Sequence, residues 1–197
     1  MKNAPLSILL IDDDKRRADA LSSALDESRY HVGHLVSSKS SLLKEVDKLQ
    51  PDIIIIDVES PSRDILESLH VLNAVNPKPI VMFSEKDDAD IINQTVRSGV
   101  SAYVVAEEVS QTRVRAILDA AVARFDQLQD LKGQLHDTKQ ELEQRKIVEQ
   151  AKVLLMETKN ISEKEAYQHI RKIAMDNGQR IEQVAKNIID IIRTLTG

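Results

Sequence analysis

The sequence predicts an α/β fold in which a five-stranded parallel sheet, doubly wound by helices, is followed by a long coiled-coil helix and a small C-terminal three-helix bundle. Three observations predict it. Five short, wholly apolar runs alternate with amphipathic stretches over residues 1–124, the pattern of parallel strands buried on both faces. From about Thr112 to Met156 no proline interrupts the chain and Gly133 is the one glycine. From Arg145 to Leu195, three apolar stripes recur at helical spacing.

Ser7–Ile11, roughly Val32–Val36, Ile53–Ile56, Ile80–Phe83 and Ala102–Val105 read as the strands. The helices between them fall at about 15–28, 40–49, 63–74, 88–98 and from 110 onward. In the long uninterrupted stretch, Ala121, Leu128, Leu131, Leu135, Thr138 and Leu142 are spaced by threes and fours. That spacing is the heptad signature of a parallel coiled-coil homodimer. An amphipathic helix folded back on its own domain is the alternative. Gly133 costs such a helix about 1 kcal/mol relative to alanine, and Thr138 weakens its seam.

The C-terminal stretch divides by local signals. Ile147, Ala151, Leu154 and Leu155 form a stripe that ends at Lys159-Asn160, where Asn tolerates a left-handed backbone. Ser162-Glu-Lys-Glu165 has capping-box form. Ala166, Ile170, Ile173 and Ala174 make the second stripe, Asn177-Gly178 the stop, and Ile181, Val184, Ala185, Ile188, Ile189 and Ile192 the third. No stripe is wide enough to be stable alone, so the three must pack together.

Composition sets bounds on function. The chain has 197 residues, 42% hydrophobic and 30% charged, and no cysteine, which excludes disulfides and thiolate metal sites. There is no apolar run near 18 residues and no signal-peptide pattern at the N-terminus, so a cytoplasmic protein without membrane association is expected. The net charge of −5 is uneven. From Glu143 onward ten Lys and Arg face eight Asp and Glu; before it the counts are seventeen and twenty-four. That asymmetry is too small to reveal a nucleic-acid partner by itself. No Ser/His/Cys triad, zinc spacing or Gly-rich phosphate loop appears, so no enzyme is expected.

Chemistry in such folds sits at the carboxyl ends of strands. Asp12, Asp13 and Asp14 follow the first strand, and Asp57 ends the third. Carboxylates gathered at adjacent strand ends repel one another unless a hard cation such as Mg²⁺ sits among them. Alternatively, aspartates at strand ends cap the helices that follow.

Residues 5–122 resemble a response-regulator receiver domain, of flavodoxin/CheY-like fold. Ile8-Leu-Leu-Ile-Asp-Asp-Asp14 is similar to the family's first strand with its acidic pair, and Pro51-Asp-Ile-Ile-Ile-Ile-Asp57, with Pro61 and Asp64, to the strand bearing the phosphoacceptor. The resemblance implies Asp57 as nucleophile toward a phosphoryl donor and Ser84 as the switch hydroxyl. It implies Mg²⁺ held by Asp12, Asp13, Asp57 and the backbone carbonyl of Glu59. One position departs from the pattern: the strand-five lysine should stand at Ala106, and Glu107 and Glu108 follow. That ammonium normally stabilises charge developing in phosphoryl transfer. Its loss resembles NasT-type regulators, which a separate sensor protein restrains by binding. Tyr103 is either the family's switch aromatic or a packed strand residue.

The C-terminal run Ala151-Lys152…Leu155-Met156…Ser162-Glu163…Glu165-Ala166-Tyr167…Ile170-Arg171-Lys172…Ala174-Met175-Asp176…Arg180…Val184-Ala185 resembles an ANTAR domain, the RNA-binding output module of the AmiR and NasR/NasT antitermination regulators. The resemblance implies that Lys152, Arg171, Lys172, Arg180 and Lys186 contact RNA phosphates. Tyr167 would stack on an unpaired loop base or serve the helix core. The expected boundaries are 1–122 for the receiver, 123–144 for the coiled-coil linker and 145–197 for the ANTAR domain. The expected partners are paired stem-loops in leader RNA, a second copy of the chain, and a sensor protein or histidine kinase, with RNA polymerase engaged only indirectly. Nitrate or nitrite assimilation is one expected target of control. A phosphorylation-controlled DNA-binding regulator and a kinase-independent protein-interaction switch are the alternatives.

Overall fold

The architecture was obtained as a computed structural model, described over residues 5–12, 14–25, 29–36, 41–105 and 111–196. In chain order the elements are β1 (Leu6–Asp12), α1 (Lys15–Ser23), β2 (Tyr30–Val36), α2 (Leu42–Leu49), β3 (Ile53–Asp57) and α3 (Arg63–Val75). They continue with β4 (Ile80–Ser84), α4 (Ala89–Arg97), β5 (Ala102–Val105), α5 (Gln111–Lys159), α6 (Glu163–Asp176) and α7 (Ile181–Thr196). The chain divides into two compact units, Met1–Gln129 and Asp130–Gly197.

In the first unit all strand pairs are parallel, in the order β2-β1-β3-β4-β5. Because successive strand residues point to opposite faces, each apolar run supplies two cores. Ile8, Leu10, Ile53, Ile55, Val81 and Phe83 face one way, against Ala18 and Leu21 of α1 and Val114, Leu118 and Ala121 of α5. Leu9, Ile11, Ile54, Ile56, Ile80 and Met82 face the other, against Val46 of α2 and Leu69 and Leu72 of α3. Ala121, expected to begin the coiled-coil seam, is instead 1% exposed within the first of these cores. Receiver packing claims that position, and Leu128 is the first of the expected seam residues that is left exposed.

The parallel register has a chemical consequence. Asp12 pairs directly with Asp57 across β1 and β3, so two carboxylates end neighbouring strands side by side. Helix α1 begins at once beyond them, its N-terminus capped by the Asp14 side chain accepting from the Arg16 amide.

The second unit packs the end of α5 with α6 and α7. Ala151, Leu155, Ala166, Ile170, Ala174, Val184, Ala185 and Ile189 form its core. Asn160 takes a left-handed φ of 50° at the end of α5, and Gly178 one of 62° after α6. The capping box at Ser162 and Glu165 is fully formed. Along α5, Leu128, Leu131, Leu135 and Leu142 are each about half exposed. Among the described residues no helix is long and apolar enough to cross a membrane.

Ile170 is wholly buried in a core of few residues. Replacing it with alanine should cost the second unit about 3 kcal/mol. Urea unfolding followed by hydrogen exchange should show early loss of protection in α6 and α7 and unchanged protection in β1, β3 and β4.

Candidate functional site

Two groups of residues carry chemistry, one in each unit. The first lies at the carboxyl edge of the sheet. The Asp12 side chain is completely buried. One of its oxygens, Oδ1, accepts from the Asp14 amide at 2.7 Å and from Arg17 Nη2 at 3.1 Å. The other, Oδ2, is buried with no partner. Asp57, beside it, is half-buried. Burial first, and then the charge of Asp12, push its carboxyl up to about 6; Arg17 offsets part of this, while Glu85 and Asp14 add to it. The edge is therefore short of positive charge, as the juxtaposition of carboxylates requires.

Ser84, at the end of β4, is buried, and its hydroxyl donates to the Glu59 carbonyl at 2.9 Å. It also accepts from the Lys86 amide at 3.2 Å. The Tyr103 hydroxyl in turn donates to the Lys86 carbonyl at 2.8 Å, while its ring packs on the second core. Tyr103 thus has a packing role and also a polar tie to the loop after Ser84. Asp13, Ala106, Glu107 and Glu108 lie outside the described residues.

Those residues suit a hard cation. The partnerless Asp12 Oδ2 and the raised Asp57 carboxyl are oxygen donors lacking a counter-charge, and Mg²⁺ takes such donors. The Glu59 carbonyl already accepts from the Ser84 hydroxyl and keeps a second lone pair for such an ion.

Arg17, which sequence reasoning did not single out, stands at this edge. In the first turn of α1, it places its guanidinium among Asp12, Glu85 and the field of Asp57. The Asp12 contact, first among its causes, raises the guanidinium above its ordinary value. The signal in the sequence was the missing lysine itself, which calls for a cation from some other element near the strand ends.

The second group lies on the C-terminal helices. Arg171, Lys172, Arg180 and Lys186 are exposed, and Arg180 approaches Glu182 at 4.0 Å. Tyr167 is 42% exposed and one helical turn before Arg171, so the two share a face of α6. Lys152 departs from expectation. Its side chain is 9% exposed, with Nζ 2.7 Å from both Glu149 and Glu163. These contacts raise the ammonium and lower Glu163. Lys152 fastens the start of α6 to α5, and a phosphate contact would require both pairs to open.

A cleft of about 590 Å³ opens beside Tyr167, lined also by Glu141, Gln144, Arg145, Val148, Glu149, Ile181 and Glu182. With three glutamates against one arginine it repels phosphates, so the exposed cations rather than this cleft suit a nucleic-acid backbone.

Two protein families match this chain. Residues 8–119 match the response regulator receiver domain and residues 136–189 the ANTAR domain. The chain is 26% identical over 190 residues to the transcriptional regulatory protein PdtaR of Mycobacterium tuberculosis, covering 96% of this chain and 92% of that one. It is 42% identical over 65 residues to the nitrate regulatory protein of Klebsiella oxytoca, covering 33% of this chain and 16% of that one. In fold it is similar to the signal receiver domain of the response regulator NarL from Mycobacterium tuberculosis, with a TM-score of 0.53 and 18% identity over 60% of this chain and 98% of that one. The chain belongs to the response regulators, with a receiver domain and an ANTAR domain. The ANTAR match starts at residue 136, inside the segment expected to be linker only.

The Asp57 carboxyl, raised from its ordinary value to about 6, is charged in the fold at a cost once the pH passes 6. The cost is absent below the ordinary value of 3.8, where both states keep the proton, grows as the pH rises from there, and is full once the pH has passed the folded value of about 6. Asp57→Asn should therefore stabilise the metal-free protein by about 1–2 kcal/mol at pH 7.5, after discounting for partial exposure. At about pH 3, below the ordinary carboxylate value, it should change little. Urea titrations in EDTA at the two pH values check this.

Lys152→Met should lower the melting temperature by a few degrees. It should also broaden backbone amide signals at the start of α6, which a residue acting only on RNA would leave unchanged.

Proposed function

We propose that this response regulator is a transcription antiterminator that binds paired stem-loops in leader RNA through α6 and α7. The observation that carries the reading is the set of exposed cations, Arg171, Lys172, Arg180 and Lys186, on the ANTAR unit beside the exposed ring of Tyr167. Cations in such a set neutralise RNA phosphates, and an exposed ring can stack on an unpaired loop base. Holding the RNA would let polymerase pass a terminator, so polymerase is engaged only indirectly.

The half-exposed leucines of α5 support a homodimer through a parallel coiled coil, since Leu128, Leu131, Leu135 and Leu142 keep heptad spacing and lack cover in the single chain. Two output units would then meet two stem-loops. Because α5 contributes Leu118 to a receiver core and Leu155 to the ANTAR core, a shift in this one helix can carry a signal from one unit to the other.

The receiver would gate this output from the cytoplasm. Asp57 is the residue that would accept a phosphoryl group from a histidine kinase, and Mg²⁺ bound at Asp12, Asp13 and Asp57 would neutralise the transferring phosphoryl oxygens. With alanine at position 106, restraint by a bound sensor protein is favoured over phosphorylation as the trigger. The similarity to the Klebsiella nitrate regulatory protein supports nitrate or nitrite assimilation as the controlled process.

Gel shifts of the full chain with two-hairpin leader RNA and with promoter duplex test the reading. Binding to the hairpins and not to the duplex is expected; the reverse would instead support a DNA-binding regulator. Arg171→Ala and Lys172→Ala should each weaken binding across hairpin sequences and reduce the salt slope by about one. Leu135→Asp with Leu142→Asp should yield a monomer in analytical ultracentrifugation.

A further inference from the structure

The acidic edge of the receiver holds a cation of its own. Asp12 is wholly buried, and Arg17 reaches it from α1 through one hydrogen bond, Nη2 to Oδ1 at 3.1 Å. The guanidinium also approaches Glu85 at 3.9 Å, and Asp57 and Asp14 both act on its charge. The pairing is incomplete on both sides: Arg17 Nε and Asp12 Oδ2 are each buried without a partner. A guanidinium that engaged Asp12 through two parallel bonds would satisfy both atoms and be hard to remove. Held by one bond, with its side chain 27% exposed, it has a route outward. Buried unpaired atoms of this kind cost stability in the state that leaves them unpaired.

We propose that Arg17 is a displaceable internal counter-cation that competes with Mg²⁺ for Asp12, so that its own arginine offsets part of the receiver's acidic edge until the ion drives the guanidinium out. A guanidinium and a doubly charged ion cannot both sit on one carboxylate at a single strand end without repelling each other. Either the ion takes Asp12 and the guanidinium retreats toward Glu85 and solvent, or Arg17 stays and the ion binds weakly. The arginine also supplies positive charge at the strand ends of a chain that has no lysine at position 106. The inference rests on the reading of Asp12 and Asp57 as Mg²⁺ ligands.

Isothermal titration of the full chain with MgCl₂ tests it. Arg17→Gln, which keeps much of the side chain and removes its charge, should bind Mg²⁺ more tightly than the unaltered protein, by on the order of tenfold. Arg17→Lys, which keeps the charge, should stay close to the unaltered protein, and Asp12→Asn in the Arg17→Gln background should abolish binding. In the unaltered protein, the Arg17 Nε–H resonance should move in proportion to Mg²⁺ saturation, a readout that needs no variant to fold. Equal or weaker binding by Arg17→Gln, or a resonance unmoved at saturation, would overturn the competition while leaving the metal site standing. Absence of Mg²⁺ heat in every form would remove both the competition and the metal reading beneath it.

Discussion

The side-by-side placement of Asp12 and Asp57 is the constraint from which the chemistry of the receiver follows. It is a product of topology: parallel strands in the order β2-β1-β3-β4-β5 end on one edge, and the register of β1 against β3 makes the two aspartates direct partners. Two carboxylates so placed must be answered by positive charge, or one of them must take up a proton. Several features of the edge answer this demand in part. Arg17 leans in from α1, the Asp14 amide donates to Asp12, and Asp57 is left with a proton affinity well above that of an ordinary aspartate. A receiver with a lysine on strand five would carry one more positive charge here, whereas this one relies on α1.

The polar chain from Glu59 through Ser84 and Lys86 to Tyr103 sets what a change at this edge would disturb. The Ser84 hydroxyl is donated to a carbonyl on the loop after β3, and Tyr103 holds the loop after β4. For Ser84 to reach a phosphoryl oxygen it must give up Glu59, which costs about one hydrogen bond, a net 0.5–1.5 kcal/mol. Without a strand-five ammonium to help draw the phosphoryl group in, that cost weighs against coupling between modification and shape. Contact by a sensor protein has no such requirement.

Much of the fold was legible in the chain because burial on both faces leaves an unmistakable trace: Ile53–Ile56 and Ile80–Phe83 are apolar at every position, and the strands observed there exceed the expected runs by one residue each. The capping box at Ser162 and the left-handed Asn160 were equally legible, since both follow from local chemistry. Side chains whose role depends on tertiary neighbours were not. Lys152 follows buried Ala151 in sequence and reads as one more surface cation; only the folding of α6 against α5 brings Glu163 to it. Arg17 looks like a solvated residue in a first helical turn, and nothing local says that its head meets a buried carboxylate. Ala121 fits the heptad spacing as well as Leu128 does, yet the receiver core takes it.

Whether modification of Asp57 controls the ANTAR unit can be tested on one sample. The full chain is incubated with acetyl phosphate and Mg²⁺, and intact mass and affinity for the two-hairpin leader RNA are measured together. Hairpin affinity should stay the same whether or not a phosphoryl group is added. A fully phosphorylated chain whose hairpin affinity has changed by about tenfold or more, equivalent to 1.4 kcal/mol of coupling, would contradict it.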